Sequence, residues 1–480
     1  MSIERQTVAG LKWGAAAKLA TQAVSWCVTL VVIRLLVPAD YGLMAMSAVV
    51  MSIVAGIAEL GLGASLVQAR NLEQSDVARV FGALLAINLA CMISVCLAAP
   101  LIAELFGHPR LAAVIRVSSL QFVLTTLAAV PESIAYREMR FRRLAAADVV
   151  AGLVTSGTTL ALALIGAGVW SLVIGNLAGA AARSGLLLVG TSPVWPVFQI
   201  RGISQFMRFG GTWCLSRFAW QLSYQADVVI AGRFLSQEAV GFYSVAVQLA
   251  NMPLQKAMSV VNQVAFPAIA RLQTELPRMK RRLLDAIRLL ALGAVPIMWG
   301  ICAVAPEFVD VALDDDWGAV TLPLQTVALA APLRIVSGIF STAMSALGRA
   351  DMELANNLVT LVLMPIAFVC GVQWGLPGLA LSYAVAVVLS FVLNFPRSSR
   401  VLDISLRELA ATCGGAVLSG LVMLGVVTLA RAALPDVSVV ARLVALVAIG
   451  AAAYLAMLWL LDRASLTDAK RLVTALREES

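Results

Sequence analysis

Charged side chains are scarce in this chain: Asp, Glu, Lys and Arg make up 13% of its 480 residues. Soluble globular proteins carry roughly a quarter. With 61% apolar residues and a mean hydropathy of +0.91, so few charges cannot cover the apolar surface in water, which excludes a soluble multidomain protein. Histidine is almost missing: His108 stands alone, so a multi-histidine metal site is excluded. The 7 cysteines, Cys27, Cys91, Cys96, Cys214, Cys302, Cys370 and Cys413, lie inside apolar runs and form no CxxC pair. They read as small core residues, not as a disulfide framework or a zinc site. Long polar segments are lacking too. The longest loops, 192–204 and 267–282, leave no room for a soluble catalytic domain. Asp314, Asp315 and Asp316 have no nucleotide-binding pattern beside them, so they read as a solvated acidic loop and not as a DxD metal site. The 35 basic residues exceed the 27 acidic ones, but no basic patch interleaved with aromatics accompanies them. The excess fits cytoplasmic membrane loops and not a nucleic-acid partner.

What the chain does have is apolar runs. Fourteen are discernible: 13–37, 41–68, 77–103, 110–131, 145–166, 169–191, 205–231, 240–266, 283–305, 319–345, 354–374, 377–395, 409–431 and 439–461. A helix needs about 20 apolar residues to cross a bilayer core. The runs are rich in Ala, Leu and Val and lack the alternation of a membrane barrel, so the fold class is an all-α integral membrane protein with about 14 transmembrane helices. The first run is too long for a cleaved signal and reads as a retained helix. An even number of spans puts both termini on one side. Most Lys and Arg residues fall on that side, including Arg137, Arg140, Arg142 and Arg143 after span 4 and Arg278, Lys280, Arg281 and Arg282 before span 9. Both termini are therefore expected in the cytoplasm. Glu307, Asp310 and Asp314–Asp316 then fall outside. Trp13, Trp195 and Trp374 read as interface anchors, and His108 as an exposed loop residue.

The sequence repeats itself. A shift of 199 residues lays spans 1–2 on spans 7–8 without a gap: "RLLVPADYG" (34–42) meets "RFLSQEAVG" (233–241), and Lys18, Gln22 and Gly42 meet Arg217, Gln221 and Gly241. A looser match pairs "YREMRF" (136–141) with "GRADME" (348–353). Six helices followed by six similar ones is a two-lobed transporter layout with parallel repeats. The expected division is 1–200 for the first lobe, 201–398 for the second, and 399–480 for two additional helices and a short tail. Parallel halves facing one another would enclose a central cavity that opens to either side by rocking.

Ionisable groups at membrane depth are costly, and by default they face a cavity or a partner. Lys18 lies about 8 Å inside span 1 and Arg217 about 18 Å inside span 7 at 1.5 Å per residue. Gln22 and Gln221 share their helix faces four residues on. Lys256 and Arg334 follow Pro253 and Pro332, where a kinked helix would bend around a site. The carboxylates at depth are Glu59 and Asp227. Four cations against two anions suit an anionic ligand such as phosphate or pyrophosphate, whereas an exporter of cationic drugs would want the reverse. Lys18 could instead snorkel to the interface, and Asp227 could neutralise a structural cation. Glu59 or Asp227 could also carry a proton or bind sodium.

The stretches "RLLVPADYGLMAM" (34–46), "ELGLGASLVQ" (59–68), "REMRFRRLAAADV" (137–149), "GVWSLVIG" (168–175), "DVVIAGRFLSQEAVGFYSVA" (227–246), "FPAIARLQ" (266–273) and "ALGRADMEL" (346–354) resemble a known family. It is the polysaccharide exporter family, the Wzx-type lipopolysaccharide, O-antigen and exopolysaccharide flippases of the multidrug/oligosaccharidyl-lipid/polysaccharide superfamily. The likeness runs through about the first 400 residues. It implies a bacterial inner-membrane flippase, not an enzyme, whose substrate is an oligosaccharide repeat unit on undecaprenyl pyrophosphate. It further implies alternating access through a cationic cavity, no cofactor beyond an H+ or Na+ gradient, and polymerase and export machinery as later partners. Arg217, Lys18 and Arg334 would then hold the pyrophosphate with Lys256 assisting, Gln22 and Gln221 would bond to sugar or phosphate oxygens, and Asp227 and Glu59 would couple the ion or balance charge. The rivals are a cation-drug antiporter or a lipid II flippase of the same superfamily and, from another class, a polysaccharide polymerase or ligase.

Overall fold

The computed structural model describes residues 21–58, 73–189, 194–198, 211–253, 275–434 and 438–461, with backbone alone at 57–58, 211–217, 276 and 350. Helix occurs in every one of the fourteen apolar runs. In chain order the helices are α1 (Thr21–Leu35), α2 (Pro38–Ala58), α3 (Gln74–Phe106), α4 (Arg110–Ser118), α5 (Leu120–Arg137), α6 (Phe141–Leu164), α7 (Val169–Leu188) and α8 (Gly211–Phe234). There follow α9 (237–253), α10 (Leu276–Ala312), α11 (Thr321–Ala346), α12 (Ala350–Gly371), α13 (Gly375–Leu402), α14 (Leu406–Ala433) and α15 (Val439–Leu461). Among the described residues, ten helical segments are long and apolar enough to cross a membrane, and the protein is a multi-pass membrane protein.

The apolar residues point outward as well as inward, as lipid solvation requires. On α3, Leu97, Leu101 and Leu105 form an exposed stripe one turn apart. Helix ends are closed by local chemistry. A capping box of Glu73 and Asp76 starts α3, and left-handed Gly107 (φ 73°) ends it. His108 follows directly; it is half-buried, not fully exposed, and burial pushes its pKa down. A second box, Ser405 with Glu408, starts α14. The acidic triplet is exposed as expected, with Asp314 at φ 88° opening a 3-10 turn over Asp315–Val320. Trp195 and Trp374 are exposed, in keeping with interface anchoring.

Two compact units divide the chain, Met1–Gly241 and Phe242–Ser480. In the first, α6 and α7 lie against each other along most of their length. Gly175 and Gly179 on α7 make this possible, since a Cβ at either would overlap the hydroxyl of Thr159 or Thr155 on α6. Small residues four apart let membrane helices approach to van der Waals contact, which replaces the hydrophobic drive that lipid removes. Helix α5 packs on α3 and α7, and α8 packs on α2.

The repeat becomes physical at the start of α2. A Cβ on Gly42 would overlap the carbonyl oxygen of Gln237, and a Cβ on Gly241 would overlap the carbonyl oxygen of Pro38. Pro38 and Gln237 are themselves 199 residues apart, as Gly42 and Gly241 are. The two contacts are therefore exchanged by the repeat, which is the signature of a local two-fold axis. Gln237 Nε2 adds a hydrogen bond to the carbonyl oxygen of Ala39 at 2.7 Å.

In the second unit α10 is the central element, packed against α11, α14 and α15, while α13 bridges α11 and α12. At 37 residues α10 is about 55 Å long, well beyond a bilayer core. Its first turns bear Arg278, Lys280, Arg281 and Arg282. The two C-terminal helices are tightly joined to it: Gly420 of α14 meets Val295 and Trp299 of α10, and Gly450 of α15 meets Val427 and Met423 of α14.

Candidate functional site

The residues expected to hold substrate fall differently with respect to the structure. Lys18, Lys256 and Glu59 lie outside the described residues. Arg217 is on α8, where the backbone alone is described. Gln22 on α1 and Gln221 on α8 are half-buried in the first unit. Asp227 lies deeper. Ala219, Ser223, Asp227 and Ala231 recur every fourth residue and form the buried stripe of α8, with Asp227 only 5% exposed. Its Oδ1 accepts the N–H of Val228 at 2.7 Å, and the Ser223 hydroxyl donates to the carbonyl oxygen of Ala219. Gln221 and Asp227 are six residues apart, so they do not share a face of α8.

Arg334 is on α11, two residues beyond Pro332, in the second unit. It donates to the phenol oxygen of Tyr383 on α13, and its guanidinium carbon lies 5.8 Å from that ring's centre. Phe368 of α12 stacks on Tyr383 with ring centres 6.5 Å apart. A hydrogen bond and a π face thus hold this cation against α13, with Phe368 of α12 backing the ring.

Three clusters join charges or amides that lie far apart in sequence. In the first, Arg183 of α7 makes a bidentate pair with Glu132 of α5, at 2.8 Å to each oxygen, and reaches Asp148 of α6 at 3.0 Å. In the second, Glu307 of α10 is 1% exposed and receives Arg431 of α14 at 2.6 and 2.8 Å, with Arg442 of α15 at 3.7 Å. Glu307 is therefore a paired helix residue, unlike the solvated Asp314–Asp316 that follow it. Its neighbours in sequence, Asp310 and Asp314, say nothing of the helix packing that buries it. Together these clusters set three carboxylates against three guanidiniums, so they balance and do not offset the cationic excess counted from the sequence.

The third cluster joins α12 and α13. Asn356 Nδ2 donates to Ser398 Oγ at 3.2 Å, and Asn394 Nδ2 donates to Thr360 Oγ1 at 3.1 Å. Arg397 donates through one nitrogen to Asn356 Oδ1 at 3.3 Å and to Asn394 Oδ1 at 3.5 Å. One sequence signal for it exists: Asn394 and Arg397 are three apart, and Asn356 and Thr360 are four apart, so each helix presents a polar pair on one face. Nearby, Ser341 and Ser345 on α11 both donate to Glu353 of α12, the glutamate of "ALGRADMEL".

The comparisons with known proteins agree with one another. A family model described as "Polysaccharide biosynthesis protein" matches residues 31–322. Teichuronic acid biosynthesis protein TuaB of Bacillus subtilis (strain 168) is 22% identical over 342 residues, covering 70% of this chain and 71% of the relative. Lipopolysaccharide biosynthesis protein WzxC of Escherichia coli (strain K12) is 21% identical over 403 residues, covering 82% of this chain and 81% of the relative. Among solved structures, the lipid II flippase MurJ in an inward closed conformation matches with a TM-score of 0.78 at 16% identity, over 94% of this chain and 99% of that one. This last likeness is one of fold.

Proposed function

The chain belongs to the polysaccharide biosynthesis protein family, and from that premise we propose that it is a flippase for lipid-linked oligosaccharides. It moves a repeat unit carried on undecaprenyl pyrophosphate from the cytoplasmic to the outer leaflet of the bacterial inner membrane. Both of its termini are cytoplasmic. The observation that carries the proposal is the family match itself, which spans both halves of the 199-residue repeat, 34–42 and 233–241. The names of TuaB and WzxC place those relatives in teichuronic acid and lipopolysaccharide biosynthesis, and MurJ is named as a lipid II flippase. Teichuronic acid and the carbohydrate part of lipopolysaccharide are glycans, and a membrane carrier contributes to such synthesis by moving a lipid-linked precursor.

The chemistry follows from charge. A pyrophosphate crossing a bilayer must exchange its hydration for fixed donors, and guanidinium groups offer several in a planar fork. Lys18, Arg217, Arg334 and Lys256 supply these cations, and Gln22 and Gln221 bond to phosphate or sugar oxygens. Transport proceeds by alternating access driven by an H+ or Na+ gradient, with Asp227 or Glu59 as the coupling carboxylate. The protein is a carrier and not an enzyme, and polymerase and export machinery act on its product.

The test is a deletion strain in which surface polysaccharide and undecaprenyl-pyrophosphate-linked repeat units are quantified together. The expected result is loss of polymer with complete repeat units retained on the cytoplasmic leaflet. Repeat units already on the outer side would move the step downstream, to a polymerase or ligase. Unchanged pools together with new drug sensitivity would favour a cation-drug antiporter. Alanine at both Arg217 and Arg334 should abolish complementation; wild-type polymer in that strain would remove the proposed binding site.

A further inference from the structure

Half-buried arginines near helix ends keep different company: Arg143 of α6 donates to backbone carbonyl oxygens at the end of α7, whereas Arg183, Arg431 and Arg397 meet side chains. Arg183 is saturated by Glu132 and Asp148, and Arg431 by Glu307. Arg397 has no carboxylate partner among the described residues; its partners there are two neutral amide oxygens. A guanidinium has five N–H donors, and both of these bonds use the same nitrogen. Most of its donor capacity and its full charge are therefore open to a ligand.

The cation is also held rigidly. Asn356 is fixed by Ser398, Asn394 is fixed by Thr360 and by the carbonyl oxygen of Asn356, and all these groups sit on two packed helices. Amides that point their oxygens at a guanidinium and their N–H groups at hydroxyls form a support for it, as a preorganised site needs. Depth agrees. Arg397 lies 22 residues into α13, about 33 Å along the helix, which is one bilayer core away from the opposite surface. Six residues on, still at this end of the helix, Asp403 pairs with Lys280 at 3.4 Å, and a helix of this length brings such an end near the phosphates of membrane lipids.

We propose that Arg397, positioned by Asn356 and Asn394 between α12 and α13, is a docking site for the pyrophosphate of a membrane-anchored isoprenoid lipid. It is separate from the cations proposed to carry the substrate through the membrane, and it engages the headgroup at the cytoplasmic surface before translocation. The assignment of the lipid rests on the flippase reading; the anion site rests on the geometry of α12 and α13.

The full chain in detergent micelles, titrated with undecaprenyl pyrophosphate lacking any sugar, tests it. Arg397→Gln should weaken binding about tenfold to a hundredfold, the range for losing hydrogen bonds to a charged group. Arg397→Lys should weaken it by less, because it keeps the charge and loses the fork. Arg400→Gln, an equal charge change at an exposed position on the same helix, should leave binding unchanged. The double variant Asn356→Ala/Asn394→Ala should weaken binding while Arg397 is still present, and it serves if Arg397→Gln does not fold. Wild-type affinity in Arg397→Gln, or in the double variant with Arg397→Lys also unaffected, overturns the site. Equal losses in Arg397→Gln and Arg400→Gln also overturn it, since bulk charge would then suffice. Phosphatidylglycerol competing as well as the pyrophosphate would overturn the ligand assignment in favour of ordinary lipid anchoring. Failure of the flippase reading is seen separately, as unchanged lipid pools in the deletion strain while purified protein still binds undecaprenyl pyrophosphate.

Discussion

The Glu307 and Arg397 clusters sit in the same unit, and each brings guanidinium and polar groups together across helices. Glu307 is 1% exposed and takes two guanidiniums from two helices. Arg397 is half-buried and takes two amides instead. In the first cluster charge is consumed where it stands, so its role is to fasten α14 and α15 to α10. In the second, charge is supported and left open. A membrane protein with many cations at helix ends is thus sorted by the company each cation keeps. The paired ones are architecture, and one held only by neutral dipoles is a candidate for function.

The contrast can be broken by substitution. The largest effect is expected for Glu307→Gln, which strands Arg431 and Arg442 without their counter-charge; removing one partner of a buried pair costs about 3–5 kcal/mol. Thermal unfolding in detergent should show a large drop, and an unchanged midpoint would mean that the cluster does not fasten the C-terminal helices. Next comes Arg183→Gln, which leaves Glu132 and Asp148 facing each other. Its loss should be smaller, because Asp148 is 41% exposed and water screens what remains. Asn356→Ala should cost about 1–2 kcal/mol of stability, since its side chain bonds to both Ser398 and Arg397 and one hydrogen bond is usually worth about 1. Arg397→Gln should scarcely move the unfolding midpoint, since no buried carboxylate is stranded by it. A drop as large as that of Glu307→Gln would erase the distinction between the two clusters. The smallest effect belongs to Glu408→Gln, which loosens a partly solvated pair with Lys280 while the amide keeps the acceptor that closes the helix start, and should leave the midpoint within error.

Much of the fold was legible in one dimension. Apolar runs of the right length form helices because lipid offers the backbone no other hydrogen-bond partner. The 199-residue shift aligned Gly42 with Gly241, and the structure shows why neither residue carries a side chain: each faces a carbonyl oxygen of the other's repeat. Gly175 and Gly179 were legible in principle by their spacing of four, although the threonines they admit, Thr155 and Thr159, come from another helix. The candidate site was legible only as a list of charges at depth. Asp227 could be counted as buried, but not assigned to the inner stripe of α8 with Ser223 and Ala231. The pairing of Glu307 was not legible, because its partners Arg431 and Arg442 come from other helices.

The sequence alone determined the solvent, the secondary structure and the internal symmetry of this protein. Each of these depends on composition and period, which are properties of neighbours along the chain. Only the tertiary structure decided which cations are spent. The partners of Arg183 lie 51 and 35 residues away, and the glutamate of Arg431 lies 124 residues away, on different helices. Charge neutralisation acts over a few ångströms in space, and helix packing brings distant stretches of chain within that range.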